Sequence, residues 1–183
     1  MRAFVAVFPP PEVREALALA ARGLPVTGKI RLTPPANVHL TLKFLGDVPR
    51  EELAGVSEAL EPLRARHEPF EASISGFGAF PSPGKARVLW AGVGEGADGL
   101  RALARDVEES LEPLGFEREA RAYVPHLTLG RARGRPVKLQ VPQAPTPVPG
   151  FRVREVELVE SVLGAAGARY STLAAFPLSE SRD

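Results

Sequence analysis

The sequence predicts an α+β fold built from two related lobes, and three observations lead there. Predicted strands and helices alternate along the chain. Several strand pairs are joined by turns short enough for hairpins, which favours antiparallel or mixed sheets over a parallel one. One tetrapeptide, His-Leu-Thr-Leu, stands at residues 39–42 and again at 126–129, the two copies separated by close to half of the 183 residues. Each copy lies downstream of a strand-then-helix segment.

Ala3 to Phe8 reads as a strand, closed by Pro9, Pro10 and Pro11. Pro11 is suited to open a helix from Glu12 to Arg22, because its fixed φ is already helical, and Gly23 is a stop. Val13, Leu17 and Ala20/Ala21 keep helical spacing. Ile30 to Leu32 is a short extended piece. From Val38 to Leu45 apolar and polar residues alternate. Strand alternation puts Val38, Leu40, Leu42 and Phe44 on one face and His39, Thr41 and Lys43 on the other. A helix is expected from Arg50 to Arg66. Phe70–Phe77 and Val88–Val93 read as strands around the turn-rich Phe80–Lys85. Leu100, Leu103, Ala104, Val107, Leu111 and Leu114 mark an amphipathic helix ended by Gly115. Val124 to Gly130 is a strand with Val124, His126 and Thr128 on one face and Leu127 and Leu129 on the other. Between Gly134 and Gly150 lie Pro136, Pro142, Pro145, Pro147 and Pro149. That composition permits a loop or an edge strand and excludes a helix. Strands from Glu155 to Leu163 and from Tyr170 to Pro177 close the fold.

Composition narrows function. Hydrophobic residues make up 44% and charged residues 25%, as in globular proteins generally. Lys+Arg number 23 against Asp+Glu 22, a net charge of +1, which argues against partners held by overall basicity. The absence of cysteine excludes disulfides, thiolate metal sites and a Cys nucleophile. The apolar run at the start is too short for a signal peptide and no run is long enough for a membrane span. The expectation is a cytoplasmic enzyme or binding domain, one domain over 1–183, with no membrane partner.

The repeated tetrapeptide carries the chemistry. Two imidazoles facing one cleft can act as an acid–base pair near neutral pH, one protonated and one neutral. Thr41 and Thr128, two places along the same strand faces, are placed to donate to phosphoryl oxygens. Transfer at phosphorus also needs positive charge for the equatorial oxygens, and Lys43 and Arg131 are the candidates. Lys43 fits the facing rule, a solvated edge lysine being its plain alternative. Strict alternation from His126 sends Arg131 away with Leu127 and Leu129; a bulge at Gly130 would re-aim it. Tyr123, Phe80 and Trp90 could stack a base, with core packing the better account of Trp90. One histidine on a strand is most often structural, but two in the same pattern are not. A zinc site needs a third ligand, and none has convincing spacing. His67, at a predicted helix end beside Arg64 and Arg66, reads as a solvated residue on the helix dipole.

At these residues the sequence resembles the two-histidine phosphoesterases, and within them the RNA 2′,3′-cyclic phosphodiesterases, also called 2′-5′ RNA ligases. The similarity covers nearly the whole chain. It runs through Arg2–Val7, Asn37–Gly46 with its Lys-Phe-Leu-Gly extension, Tyr123–Arg131, Leu158–Ser161 and Gly167–Tyr170. The resemblance implies two pseudo-symmetric lobes, each a mostly antiparallel sheet with helices, and a cleft between them. It implies hydrolysis of a ribose 2′,3′-cyclic phosphate to a 2′-phosphate without metal or cofactor. His39 would be the general acid and His126 the general base, with Thr41, Thr128, Lys43 and Arg131 on the phosphate. The partner implied is RNA ending in a cyclic phosphate, tRNA fragments among the candidates, bound by a monomer. The resemblance also implies a reversible joining of RNA ends through a 2′-5′ linkage, with a 5′-hydroxyl in place of water as nucleophile. The competing readings are another two-histidine reaction, on a cyclic nucleotide or a 2′-5′ oligonucleotide, and a catalytically silent RNA-binding domain.

Overall fold

The computed structural model describes residues 1–144 and 147–180, so Pro145 of the proline-rich segment lies outside the described residues. The first strand, β1 (Arg2–Val7), is apolar on both faces: Ala3, Val5 and Val7 enter the main core, while Phe4 and Ala6 join a smaller cluster with Val159. That is the pattern of a strand covered on both sides. Helix α1 (Pro11–Arg22) has Pro11 in its first turn, buries Val13, Leu17, Ala18 and Ala21, and gives way at Gly23. Two short strands, β2 (Val26–Thr27) and β3 (Ile30–Leu32), lead to β4 (Leu40–Asp47), which contains most of the first motif.

The helix expected over 50–66 is interrupted. A 3₁₀ turn, α2 (Leu53–Leu60) and α3 (Leu63–Arg66) replace it, with the break at Pro62, which lacks the N–H a continuous helix requires. The expected strand over 70–77 is two strands. β5 (Phe70–Ala72) pairs with β10 (Phe151–Val153), whereas β6 (Ile74–Ser82) forms a hairpin with β7 (Lys85–Val93). Helix α4 (Ala97–Leu111) buries Leu100, Leu103, Ala104, Val107 and Leu111, and a 3₁₀ turn carries it to Gly115. Gly96 precedes it at φ +88°, where an added Cβ would collide with the carbonyl oxygen of Glu71, so only glycine fits that entry. The second motif opens β8 (His126–Ala132). Among the described residues of the proline-rich segment, β9 (Lys138–Leu139) is the one strand, paired with β2. The hairpin of β11 (Glu155–Gly164) and β12 (Gly167–Pro177) ends the described chain.

The main sheet has the order β12-β11-β1-β4-β8-β7-β6, with β3 alongside the end of β8, and every ladder is antiparallel. It divides into two four-stranded halves. Among the described residues their ladders join through one pair, Leu40 opposite Leu127, the second residue of each motif. Both leucines are wholly buried. Each half repeats strand–helix–motif strand, as β1–α1–β4 and β7–α4–β8. The helices cross over: α1 packs on β8 and β3, and α4 packs on β4. The motif strands therefore have their leucine faces under helices and their other faces free to form the cleft. No helix among the described residues is long and apolar enough to cross a membrane.

Candidate active site

Leu40 and Leu127 are direct partners in an antiparallel pair. The positions on either side of them project from the opposite face, so His39 and Thr41 of one strand meet Thr128 and His126 of the other. This seam assembles the four residues that the repeated tetrapeptide singles out.

Beyond the seam, strict alternation fails in both strands. Along β4, Ala6 of β1 is opposite Thr41 but Val5 is opposite Lys43, so Leu42 is skipped. A bulge of this kind flips the facing of everything after it. Lys43 consequently turns to the helix side, the reverse of its expected position. It is 4% exposed, and its Nζ donates to Glu108 Oε2 of α4 at 2.8 Å and to the Glu117 carbonyl at 2.8 Å. Phe44, expected in the core, is 66% exposed beside Phe4 on the cleft face. Along β8, Trp90 of β7 is opposite Thr128 and Leu89 opposite Gly130, so Leu129 is skipped. Here the flip works the other way: Arg131, opposite Val88, joins His126 and Thr128 on the cleft face. The bulge needed to re-aim Arg131 is present, centred one residue before Gly130.

Both histidines are held in one tautomer by the same contact. The Nδ1–H of His39 donates to the Asn37 carbonyl at 2.7 Å, and that of His126 to the Val124 carbonyl at 2.8 Å. A carbonyl can only accept, so Nδ1 carries the proton and Nε2 is left for the cleft. Asn37 is itself fixed, its Nδ2 donating to the Ala168 carbonyl of β12 at 2.9 Å. The surroundings of the rings differ. His39 stacks on Phe4 with centroids 4.9 Å apart, lies 5.3 Å from Phe8, and meets the edge of Tyr170 at 5.3 Å. Burial among these rings pushes its pKa down from 6.5 to about 4, the Asn37 hydrogen bond opposing and the charges of His126 and Arg131 adding to the fall. His39 is therefore neutral near pH 7, and its Nε2 accepts the Thr41 hydroxyl at 2.8 Å. His126 meets one aromatic edge, Phe80 at 5.1 Å, and its Nε2 has no hydrogen-bond partner among the described residues.

The other aromatic candidates divide. Trp90 lies on the cleft face with Phe80 against it at 5.4 Å. Its ring covers Gly78, where an added Cβ would overlap the ring carbon Cζ2. Tyr123 packs against the main core instead, its hydroxyl buried without a partner and its pKa raised by burial. The ring is not displayed for stacking. His67 is half-buried with Nε2 2.8 Å from Asp106 Oδ2, a packed contact rather than a solvated end. The sequence reading missed Phe4, Phe8 and Tyr170 as the surroundings of His39, and Arg31, which stands directly opposite Arg131 on β3. The periodicity gave no sign of these, since each depends on which strands become neighbours. Among the described residues no cluster of three His, Cys, Asp or Glu is poised for a metal. A concavity of about 530 Å³ at the start of α4 includes neither motif histidine and none of the residues proposed for the phosphate.

Comparison with known proteins places this geometry. The family model for LigT-like phosphoesterases matches residues 7–90 and 92–170, one copy of the tetrapeptide in each span. This chain belongs to the LigT-like phosphoesterases. It is an enzyme, a phosphoesterase of the two-histidine superfamily. An RNA 2′,3′-cyclic phosphodiesterase of Archaeoglobus fulgidus is 36% identical over 96% of this chain and 99% of the relative. One of Thermus thermophilus is 36% identical over 97% of this chain and 90% of the relative. The crystal structure of E. coli LigT complexed with 3′-AMP superposes with a TM-score of 0.81, at 26% identity, covering 98% of this chain and 99% of that one. The mixed α/β, mostly antiparallel two-lobed architecture is that of this LigT-like phosphoesterase group.

Proposed function

We propose that this LigT-like enzyme hydrolyses the 2′,3′-cyclic phosphate at RNA ends to a 2′-phosphate, without metal, through His39 and His126. The observation that carries the reading is the pair of imidazoles flanking the Leu40–Leu127 seam, each tied at Nδ1–H to a backbone carbonyl two residues back. Relatives named for this activity, alike over nearly the full chain, support the substrate.

In this mechanism His126 Nε2 takes a proton from water as the water oxygen attacks phosphorus. The P–O3′ bond breaks, and His39 Nε2–H gives its proton to the departing 3′-oxygen, leaving the phosphate on the 2′-oxygen. Arg131 and the two Thr hydroxyls meet the charge that grows on the equatorial oxygens. The low pKa of His39 fits the acid role in one specific way. The ring, held neutral in the free enzyme chiefly by burial, takes up a proton from solvent when the anionic phosphate arrives beside it and offsets the charge of Arg131. Protonation ends the His39–Thr41 hydrogen bond: Nε2 can no longer accept it, its N–H is the proton given to the departing 3′-oxygen, and the Thr41 hydroxyl hydrogen is released toward a phosphoryl oxygen. Lys43 has no part in this scheme. Replacing water by a 5′-hydroxyl runs the same steps toward a 2′-5′ linkage. Both motifs come from one chain, so a monomer over 1–183 contains the whole site.

The test is turnover of a short RNA ending in a 2′,3′-cyclic phosphate, in EDTA, with the product phosphate located. A 2′-phosphate from the wild type and none from His126→Ala supports the scheme. Activity lost in EDTA and restored by metal overturns the metal-free part. Tight binding with no product in any condition leaves an RNA-binding domain.

A further inference from the structure

On the cleft face of the second lobe, two arginines stand opposite each other. Arg31 of β3 is the direct cross-strand partner of Arg131 of β8. Ile30 and Leu32 pack against the core, so Arg31 projects from the other face, with Arg131. Like charges directly opposed in an antiparallel pair repel. Carboxylates accompany some other arginines, namely Arg64, Arg66, Arg101, Arg118 and Arg152. Among the described residues neither Arg31 nor Arg131 has such a partner. Arg31 is nevertheless held in place. Its Nη2 donates to the Ala166 carbonyl at 3.0 Å, in the turn between β11 and β12, and lies 2.7 Å from where a Cβ on Gly167 would stand. One hydrogen bond leaves most of the guanidinium's five donors free.

A pair of opposed guanidiniums on a cleft face, neither neutralised by a carboxylate among the described residues and one of them held in place, is an arrangement for anions. The cyclic phosphate belongs between the histidines, with Arg131 next along the strand. Arg31 lies one strand over from Arg131, on the edge of β8 that β4 also uses, about 5 Å away, which is on the scale of the step to the next nucleotide. We propose that Arg31 binds the phosphodiester one nucleotide upstream of the cyclic phosphate, so that the enzyme selects RNA chain ends over free cyclic mononucleotides. The inference rests on the phosphodiesterase reading above and adds the part of the substrate that is read.

The experiment uses two dinucleotides ending in a 2′,3′-cyclic phosphate, identical except that the internal linkage is a phosphodiester in one and an uncharged methylphosphonate in the other. For the wild type, kcat/KM falls by about tenfold on losing that charge, the usual worth of one arginine–phosphate contact. In Arg31→Ala the natural dinucleotide is already slower by about tenfold and the methylphosphonate lowers it no further. Arg31→Lys keeps the charge and retains part of the sensitivity. A structural role alone does not erase sensitivity to a substrate's charge. Arg31→Ala remaining as sensitive as the wild type overturns the proposal, as does an equal loss on a cyclic mononucleotide. A wild type that turns over neither dinucleotide refutes the phosphodiesterase reading instead; the same cycle run on binding of the two dinucleotides then decides for or against Arg31.

Discussion

In β4 the residue that the ladder skips is Leu42, and in β8 it is Leu129. Both are fourth residues of their tetrapeptides, so the two motif strands bend at equivalent points. Past the bend the two strands diverge. Lys43 corresponds to Gly130, both turned to the helix side, and Phe44 corresponds to Arg131, both turned to the cleft. One backbone device thus delivers a benzene ring to the first lobe and a guanidinium to the second. The histidines inherit the difference. His39 sits among Phe4, Phe8 and Tyr170, whereas His126 meets one ring edge and shares its face with Arg131. A repeat that makes the two motifs look interchangeable produces two different environments, aromatic burial around His39 and a neighbouring guanidinium beside His126.

The comparison breaks most visibly at the histidines. Replacing either by Ala is expected to cost at least about a hundredfold in kcat, the scale of a lost general acid or base. Substrate chemistry separates the roles. A cyclic phosphate whose 3′ bridging oxygen is replaced by sulfur has a leaving group that needs no protonation. It is expected to restore His39→Ala substantially and His126→Ala hardly at all. Rescue of His126→Ala instead exchanges acid and base.

Lys43 tests the other arm, because its counterpart is a glycine with no side chain to compare. Lys43→Ala strands Glu108 beneath the sheet and frees the Glu117 carbonyl. Removing one partner of a buried ion pair costs roughly 3 kcal/mol, which a urea midpoint reads directly. Turnover per folded molecule is expected to stay within about twofold. A Lys43→Ala protein with unchanged stability and a large loss of kcat returns Lys43 to the phosphate.

That lysine also marks where the sequence stopped being readable. The alternating pattern correctly paired His39 with Thr41 and His126 with Thr128, because those residues lie before the bulges. Past Leu42 it put Lys43 out and Phe44 in, and the ladder reverses both. Nothing in Leu-Lys-Phe announces a bulge, whereas Gly130 supplied a reason to suspect one in the second strand. The strand–helix order and the apolar faces of α1 and α4 were legible because they depend on local spacing. Arg31 was not, since its meaning comes from standing opposite Arg131, a pairing of residues far apart in the chain. Pro62 was visible as a residue, but the apolar periodicity around it outweighed the missing N–H in the reading.

The smallest effect concerns the ring that the first lobe buries. His39 has its pKa lowered from 6.5 to about 4 chiefly by burial. Between those values the unfolded chain binds a proton at this residue that the folded chain refuses. Stability must therefore rise with pH across that window and fall as pH drops from about 6.5 toward 4, with a slope of at most about 1.4 kcal/mol per pH unit from this group. Carboxylates titrating near the lower end add a background common to the wild type and to a variant without the imidazole. Urea midpoints from pH 4 to 7 are expected to climb more steeply for the wild type than for His39→Phe, which keeps an aromatic ring among Phe4, Phe8 and Tyr170. The same burial places the acid limb of kcat/KM, where the free enzyme's histidine pair takes up its second proton, near pH 4. Equal slopes in the two proteins, with an acid limb near 6.5, show that His39 is as well solvated as an ordinary surface histidine. The contrast between the lobes then reduces to Arg131 alone, because the aromatic surroundings of His39 would no longer set its charge.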